Sequence, residues 1–127
     1  MIYPLIDLPP NLVGFKVLWQ ISDKDFEEVV HPQIRHHVHK TGELNCLLVI
    51  NNSIRNFTFG TLKNLKHLLR WKECRRVAIV AESKIAKMLI SVLNMLAPVE
   101  LKGFSHDQMK EAIKWASEAQ PEPAKLI

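Results

Sequence analysis

The sequence predicts an α/β domain built on a mixed five-stranded sheet, with the element order β-β-α-β-α-β-α-β-α. Three observations carry this reading. Short apolar runs, Leu44 to Ile50 and Arg76 to Ala81, have the composition of strands covered on both faces. Segments with helical apolar spacing alternate with these runs, as in a parallel sheet joined by crossover helices. At the start, two strand-like runs meet at the turn Pro9-Pro10-Asn11, which adds one antiparallel member.

Taken in order, Ile2 to Leu8 and Leu12 to Trp19 are the opening strands, and the proline in the first confines it to an edge. Ser22-Asp23 then caps a helix with Asp25, Glu27 and Glu28 in its first turns, where the macrodipole favours negative charge. Phe26, Val30, Ile34 and Val38 recur at spacing four and predict one core-facing stripe. Pro32 lacks the N–H that would bond the Glu28 carbonyl, so a kink is expected there, and Gly42 ends the helix. The strand Leu44 to Ile50 runs into Asn51, Asn52 and Ser53, and a helix follows from Thr58 to about Arg70, with Phe59, Leu62, Leu65 and Leu69 inward. A buried strand feeding a helix start through a polar turn is where open α/β folds place ligands, which makes Asn51 and Thr58 the candidate turn residues. Arg76 to Ala81 is the next strand. Ser83 caps a helix over Lys84 to Leu96, and Pro98 stops it. Val99 to Phe104 is the last strand, and Ser105 or Asp107 opens a final helix reaching about Glu118. Residues 1–118 form a single domain, and the tail 119–127 is expected to be extended or mobile.

Composition limits the function. With 127 residues, 47% of them apolar, the chain suits a globular domain that buries about two-thirds of its unfolded surface. The net charge of +4 is modest for holding nucleic acid by charge alone. Cys46 falls in an apolar strand and Cys74 in a charged loop, which predicts reduced thiols and a cytoplasmic location. The opening residues lack the pattern of a secretion signal. The longest apolar stretch, Met88 to Ala97, is interrupted by Ser91 and Asn94, and no transmembrane segment is expected.

Between Gly60 and Arg76 six basic side chains face a single carboxylate, Glu73. Lys63, Lys66 and Arg70 share a helix sector of about 60° and suit an anionic partner, a phosphorylated ligand or a membrane surface; a solvated outer face is the plainer alternative. No Phe, Tyr or Trp lies between Lys63 and Arg70 to stack bases, so nucleic acid is not expected. The helix over 84–96 is apolar nearly all round: Met88, Leu89, Val92, Met95 and Leu96 join Ile85, Ile90 and Leu93. Such a helix needs cover beyond the sheet. Three covers stand open. One is a second copy, giving a homodimer. Another is a small apolar or lipid-like ligand in a pocket between the 58–70 and 84–96 helices. The third is the tail, through Leu126 and Ile127. His36 and His39 share a face but lack a third ligand at helical spacing, and His37 reads as a core-boundary residue. Neither a metal nor a cofactor is expected. The sequence has no glycine-rich phosphate loop and no nucleophile elbow, so the expectation is a protein that is not an enzyme.

The stretches MIYPLIDLPPNLVGFKV, DFEEVVHPQI and APVELKGF resemble the SpoIIAA-like (STAS-type) family of small bacterial proteins, in the branch of stand-alone domains also compared with lipid-binding CRAL-TRIO (Sec14-like) domains. The resemblance covers residues 1 to about 118 and implies a mixed sheet with helices packed mainly on one side. STAS-type domains that antagonise anti-sigma factors carry an Asp-Ser-Ser-Gly turn whose serine is phosphorylated. The corresponding stretch here is Asn56-Phe57-Thr58-Phe59-Gly60, which keeps a glycine and one hydroxyl but lacks the acid and the serines. The phosphoswitch is therefore not carried over, although a phosphate on Thr58 would sit favourably at a helix start. Together these readings lead to a non-catalytic binding or regulatory module that works through protein contacts, as a homodimer joined by the 84–96 helix.

Overall fold

A computed structural model describes residues 1–19, 21–51, 59–95 and 99–118 of the chain. Five strands lie side by side in sequence order: β1 (Ile2–Pro4), β2 (Val13–Leu18), β3 (Leu44–Asn51), β4 (Cys74–Val80) and β5 (Glu100–Phe104). β1 pairs antiparallel with β2, and every later pairing is parallel. Helix α1 is made of three consecutive segments, Asp23–Asp25, a π-helical turn Phe26–Val30, and His31–Thr41. It is followed by α2 (Phe59–Leu69), α3 (Ser83–Asn94) and α4 (Met109–Ser117), the last opened by a 3₁₀ turn at His106–Gln108.

The strand order explains where the helices go. Each crossover steps to the next strand in the same direction, and crossovers of one hand then place their helices on one face. Cys46, Leu48, Ile50, Val77 and Ile79 meet Ile34 of α1, Leu65 and Leu68 of α2, and Leu89 and Leu93 of α3. The alternate strand residues Leu47, Val49, Ala78 and Val80 point to the other face, where Ala112 and Ala116 of α4 cover them. Three helices on one side and one on the other match the expected architecture. The order never reverses, so no strand-order switch stands beside Asn51. The crevice argument that singled out Asn51 and Thr58 loses its topological basis.

Element ends differ from the sequence reading for local reasons. β1 stops at Pro4, which lacks a ladder donor, and the chain turns away through Asp7 with φ 60°. β4 begins at Cys74, so this cysteine lies in the sheet and not in a loop. The N-cap of α3 is Glu82, without a side-chain bond, and Ser83 is already helical. Ser22 and Asp25 do form a reciprocal capping box, and Ser105 forms one with Gln108. Gly42 closes α1 at φ 80°, a left-handed backbone that favours glycine. The expected disturbance at Pro32 takes the form of the π turn before it, in which His31 N–H bonds the Phe26 carbonyl.

The apolar β3 contains one fully buried polar side chain. Asn45 donates to the Glu43 carboxylate (2.7 Å) and to the Asn11 carbonyl (3.3 Å), while Asn11 donates to the Ser117 carbonyl (2.6 Å). This chain of bonds ties the β1–β2 loop to the end of α4. Among the described residues no helix is long and apolar enough to cross a membrane.

Candidate functional site

α1 and α2 lie against each other through a polar clamp. Ile21 N–H donates to Thr61 Oγ1 (3.1 Å), and Asn64 Nδ2 donates to the Ile21 carbonyl (3.2 Å) and to Asp23 Oδ1 (3.1 Å). Thr61 and Asn64 are both buried, so α2 serves both backbone polar groups of one residue, Ile21, in the β2–α1 connection. The Asn64 hydrogen bond and the nearby Lys63 ammonium hold the Asp23 carboxyl below its ordinary range.

Beyond this clamp the two helices diverge into a groove of about 370 Å³ lined by Phe26, His31, His67, Arg70 and Trp71. A smaller recess of about 170 Å³ adjoins it, sharing Phe26 and His67 and adding Asp23, Glu27 and Lys63. The floor is a run of rings. Phe26 meets His67 edge to face at 5.9 Å between centroids, and His31 stands 6.3 Å from Phe26 and 5.5 Å from Trp71.

The π turn produces this alignment. In an α-helix Phe26 and His31 would point about 140° apart. The i→i+5 bond between them stacks them one turn above the other. On the opposite wall His67 stands in the last turn of α2, and Arg70 and Trp71 follow in the turn that leaves it. Arg35 lies 3.1 Å from His31 Nδ1. Because a guanidinium can only donate, Nδ1 is the acceptor and the imidazole carries its proton on Nε2.

The structure sorts the residues singled out in the sequence. Lys63 lies 3.5 Å from Asp23 and lines the small recess; Arg70 lines the larger groove; Lys66 is partly exposed and lines neither. Trp71, just past the basic run, stands beside Arg70 in the larger groove. Asn51 is the exposed last residue of β3, paired in register with Leu18. Thr58 and Leu96 lie outside the described residues.

On α3, Leu89 is fully buried against the sheet and cannot belong to an interface face. Lys84, Lys87, Ser91 and Asn94 are exposed, so the outermost face is polar and the helix is not apolar all round. The surplus apolar residues split between its flanks. Ile90 leans over Gly103 of β5, bordering a recess of about 310 Å³. Met88, Val92 and Met95 follow one stripe on the other flank, and Met95 is 85% exposed.

Sequence reasoning missed Phe26, His31, His67 and Trp71 as a group. Phe26 packs against the core as its spacing of four predicts, and its ring also borders the groove. The available signals were Pro32, whose missing N–H invites a register change, and His67 and Trp71 four residues apart. Burial pushes the Cys46 thiol well up and Cys74 up to about 12, so neither is a ready nucleophile.

Comparison with known proteins completes the description. A family model described as SpoIIAA-like matches residues 12–117. Among solved structures the chain is similar to an uncharacterised protein from the DUF3478 family with a SpoIIAA-like fold from Shewanella loihica PV-4. That similarity has a TM-score of 0.64 at 21% identity and covers 91% of this chain and 93% of the other. No curated protein matches the sequence.

Proposed function

Because the chain belongs to the SpoIIAA-like family, we propose that it is a non-catalytic binding module of STAS type, acting through protein contacts as a homodimer. The stripe Met88, Val92 and Met95 supports this reading. It carries apolar side chains at helical spacing that run outward from the core, where Met88 packs, through half-buried Val92 to Met95, which is 85% exposed. Methionine suits such a surface, because its unbranched side chain adapts to an irregular partner. Size-exclusion chromatography with light scattering tests the dimer. The expected mass is twice 14.6 kDa, falling to the monomer value in Met88→Glu/Met95→Glu with unchanged circular dichroism. A wild-type monomer at high micromolar concentration would remove the homodimer.

A second reading, a carrier or sensor of a small amphipathic ligand, is favoured by the ring-lined groove between α1 and α2. This places the ligand on the other side of α2 from the pocket expected between the 58–70 and 84–96 helices. Native mass spectrometry of the purified protein separates the two readings, since a co-purifying small mass supports only the carrier.

A further inference from the structure

We propose that the α1–α2 groove binds a flat aromatic carboxylate, its ring system on the Phe26–His31–Trp71 floor and its carboxylate at Arg70. The proposal rests on the carrier reading and specifies its ligand.

The shape of the floor argues for a flat body. Four rings line one groove with centroid separations of 5.5 to 6.3 Å along the run, which is the range of aromatic pairing. Another planar ring can therefore continue the same edge-to-face and offset contacts. A flexible aliphatic chain would cover the same area but lose rotamer freedom without gaining those contacts. The groove's volume of about 370 Å³ fits a one- or two-ring compound, near the low end of small-molecule sites.

The charge distribution argues for an anion and fixes its direction. The larger groove holds Arg70 and no carboxylate among its lining residues. Arg35 brings a second guanidinium to the Nδ1 side of His31. In the adjoining recess Lys63 is matched by Asp23, and Glu27 adds a further negative charge. A carboxylate is thus drawn to the Arg70 end and repelled from the Glu27 end. Arginine suits the task because its planar fork can hold a carboxylate through two parallel bonds. With Arg35 fixing its proton on Nε2, the His31 ring keeps an N–H to donate. The Ile21–Thr61–Asn64 clamp sets the spacing of the two walls before any ligand arrives, which lowers the ordering cost of binding.

The test is a heteronuclear NMR titration of the full chain with three probes: 2-naphthoate, naphthalene-2-methanol and laurate. The expected result is that 2-naphthoate shifts the Trp71 indole N–H and the amides around Phe26 and His67. The alcohol should bind roughly tenfold more weakly, and Arg70→Gln should weaken naphthoate about tenfold while leaving the alcohol unchanged. Arg70 is exposed, so its replacement does not threaten the fold. Equal binding of acid and alcohol in the groove would overturn the carboxylate assignment and leave the carrier reading standing. Laurate binding there more tightly than naphthoate would overturn the aromatic assignment in the same way. Should no probe move the groove resonances, and native mass spectrometry show no bound mass, the carrier reading falls with the proposal.

Discussion

Arg76 of β4 donates from Nη1 to the carbonyl of Trp115 (2.7 Å), and its guanidinium lies 4.6 Å from the centroid of the same residue's ring. One side chain thus holds a carbonyl in the last turn of α4 and covers the indole above it, fastening that helix to the sheet. Its third contact, to Glu100 at 2.9 Å, reaches a carboxylate that is 60% exposed. Arg76→Lys is expected to cost about 1–2 kcal/mol, because an ammonium cannot serve carbonyl, ring and carboxylate together. Glu100→Gln should cost under about 1 kcal/mol, as exposed ion pairs do. Urea denaturation of the two variants checks the ranking, and equal losses would contradict it.

The clamp at Ile21 gives a second prediction. Thr61→Val removes the acceptor of the Ile21 N–H, and Asn64→Leu removes the donor to its carbonyl. Each change should cost about 1–3 kcal/mol, since each leaves a buried peptide group unpaired. The two act on the backbone of one residue, so the double variant should lose less than the sum. Strict additivity in a double-mutant cycle would show that the two bonds are independent.

His37 links stability to pH. Burial lowers its pKa, aided by His36 and Lys40 and opposed in part by the Asn11 backbone and Glu43. The folded state therefore takes up the proton less readily than the unfolded chain does. Its contribution is fully present above the unfolded value of about 6.5 and is lost as the pH falls below it. Among the described residues, His37 Nε2 is also buried without a hydrogen-bond partner. His37→Phe should flatten the stability profile between pH 7 and 5, measured as the difference in thermal midpoint from wild type. Parallel profiles would assign the acid dependence to other groups.

Gly103 lies under a close approach of α3. A Cβ there would stand 3.0 Å from Ile90 Cδ1 and 3.2 Å from Ala86 Cβ, so a side chain at this position makes α3 or Ile90 give by a few tenths of an ångström. Gly103→Ala should destabilise by about 1–2 kcal/mol through overpacking. Adding Ile90→Val removes the nearer methyl and should recover part of the loss, but not all, because the Ala86 Cβ is fixed to the helix backbone. Full recovery, or none, would contradict this account.

How much of this was legible in the sequence depended on whether the relevant period was regular. The runs at Leu44–Ile50 and Arg76–Ala81 have no polar alternation, and they became the doubly covered centre of the sheet. Ser22, Gly42 and Ser105 carry their capping role in their own chemistry, and each was found where expected. The groove was not legible, because a π turn changes which residues share a face without altering composition. Thr61 and Asn64 gave no warning either, since their importance lies in a peptide forty residues away. On α3 an average over the helix hid the polar ridge of Lys84, Lys87, Ser91 and Asn94 that the burial of each residue shows.

The second face of the sheet depends on one short helix that is reached only after all five strands. During synthesis the ladder can assemble neighbour by neighbour, each strand docking on the one made just before it. Until α4 has emerged, Leu47, Val49, Ala78 and Val80 have only Leu5, Leu8 and Leu12 of the β1–β2 segment beside them. A chain cut before residue 109 would hold a sheet finished on one side and adhesive on the other, a natural substrate for a chaperone.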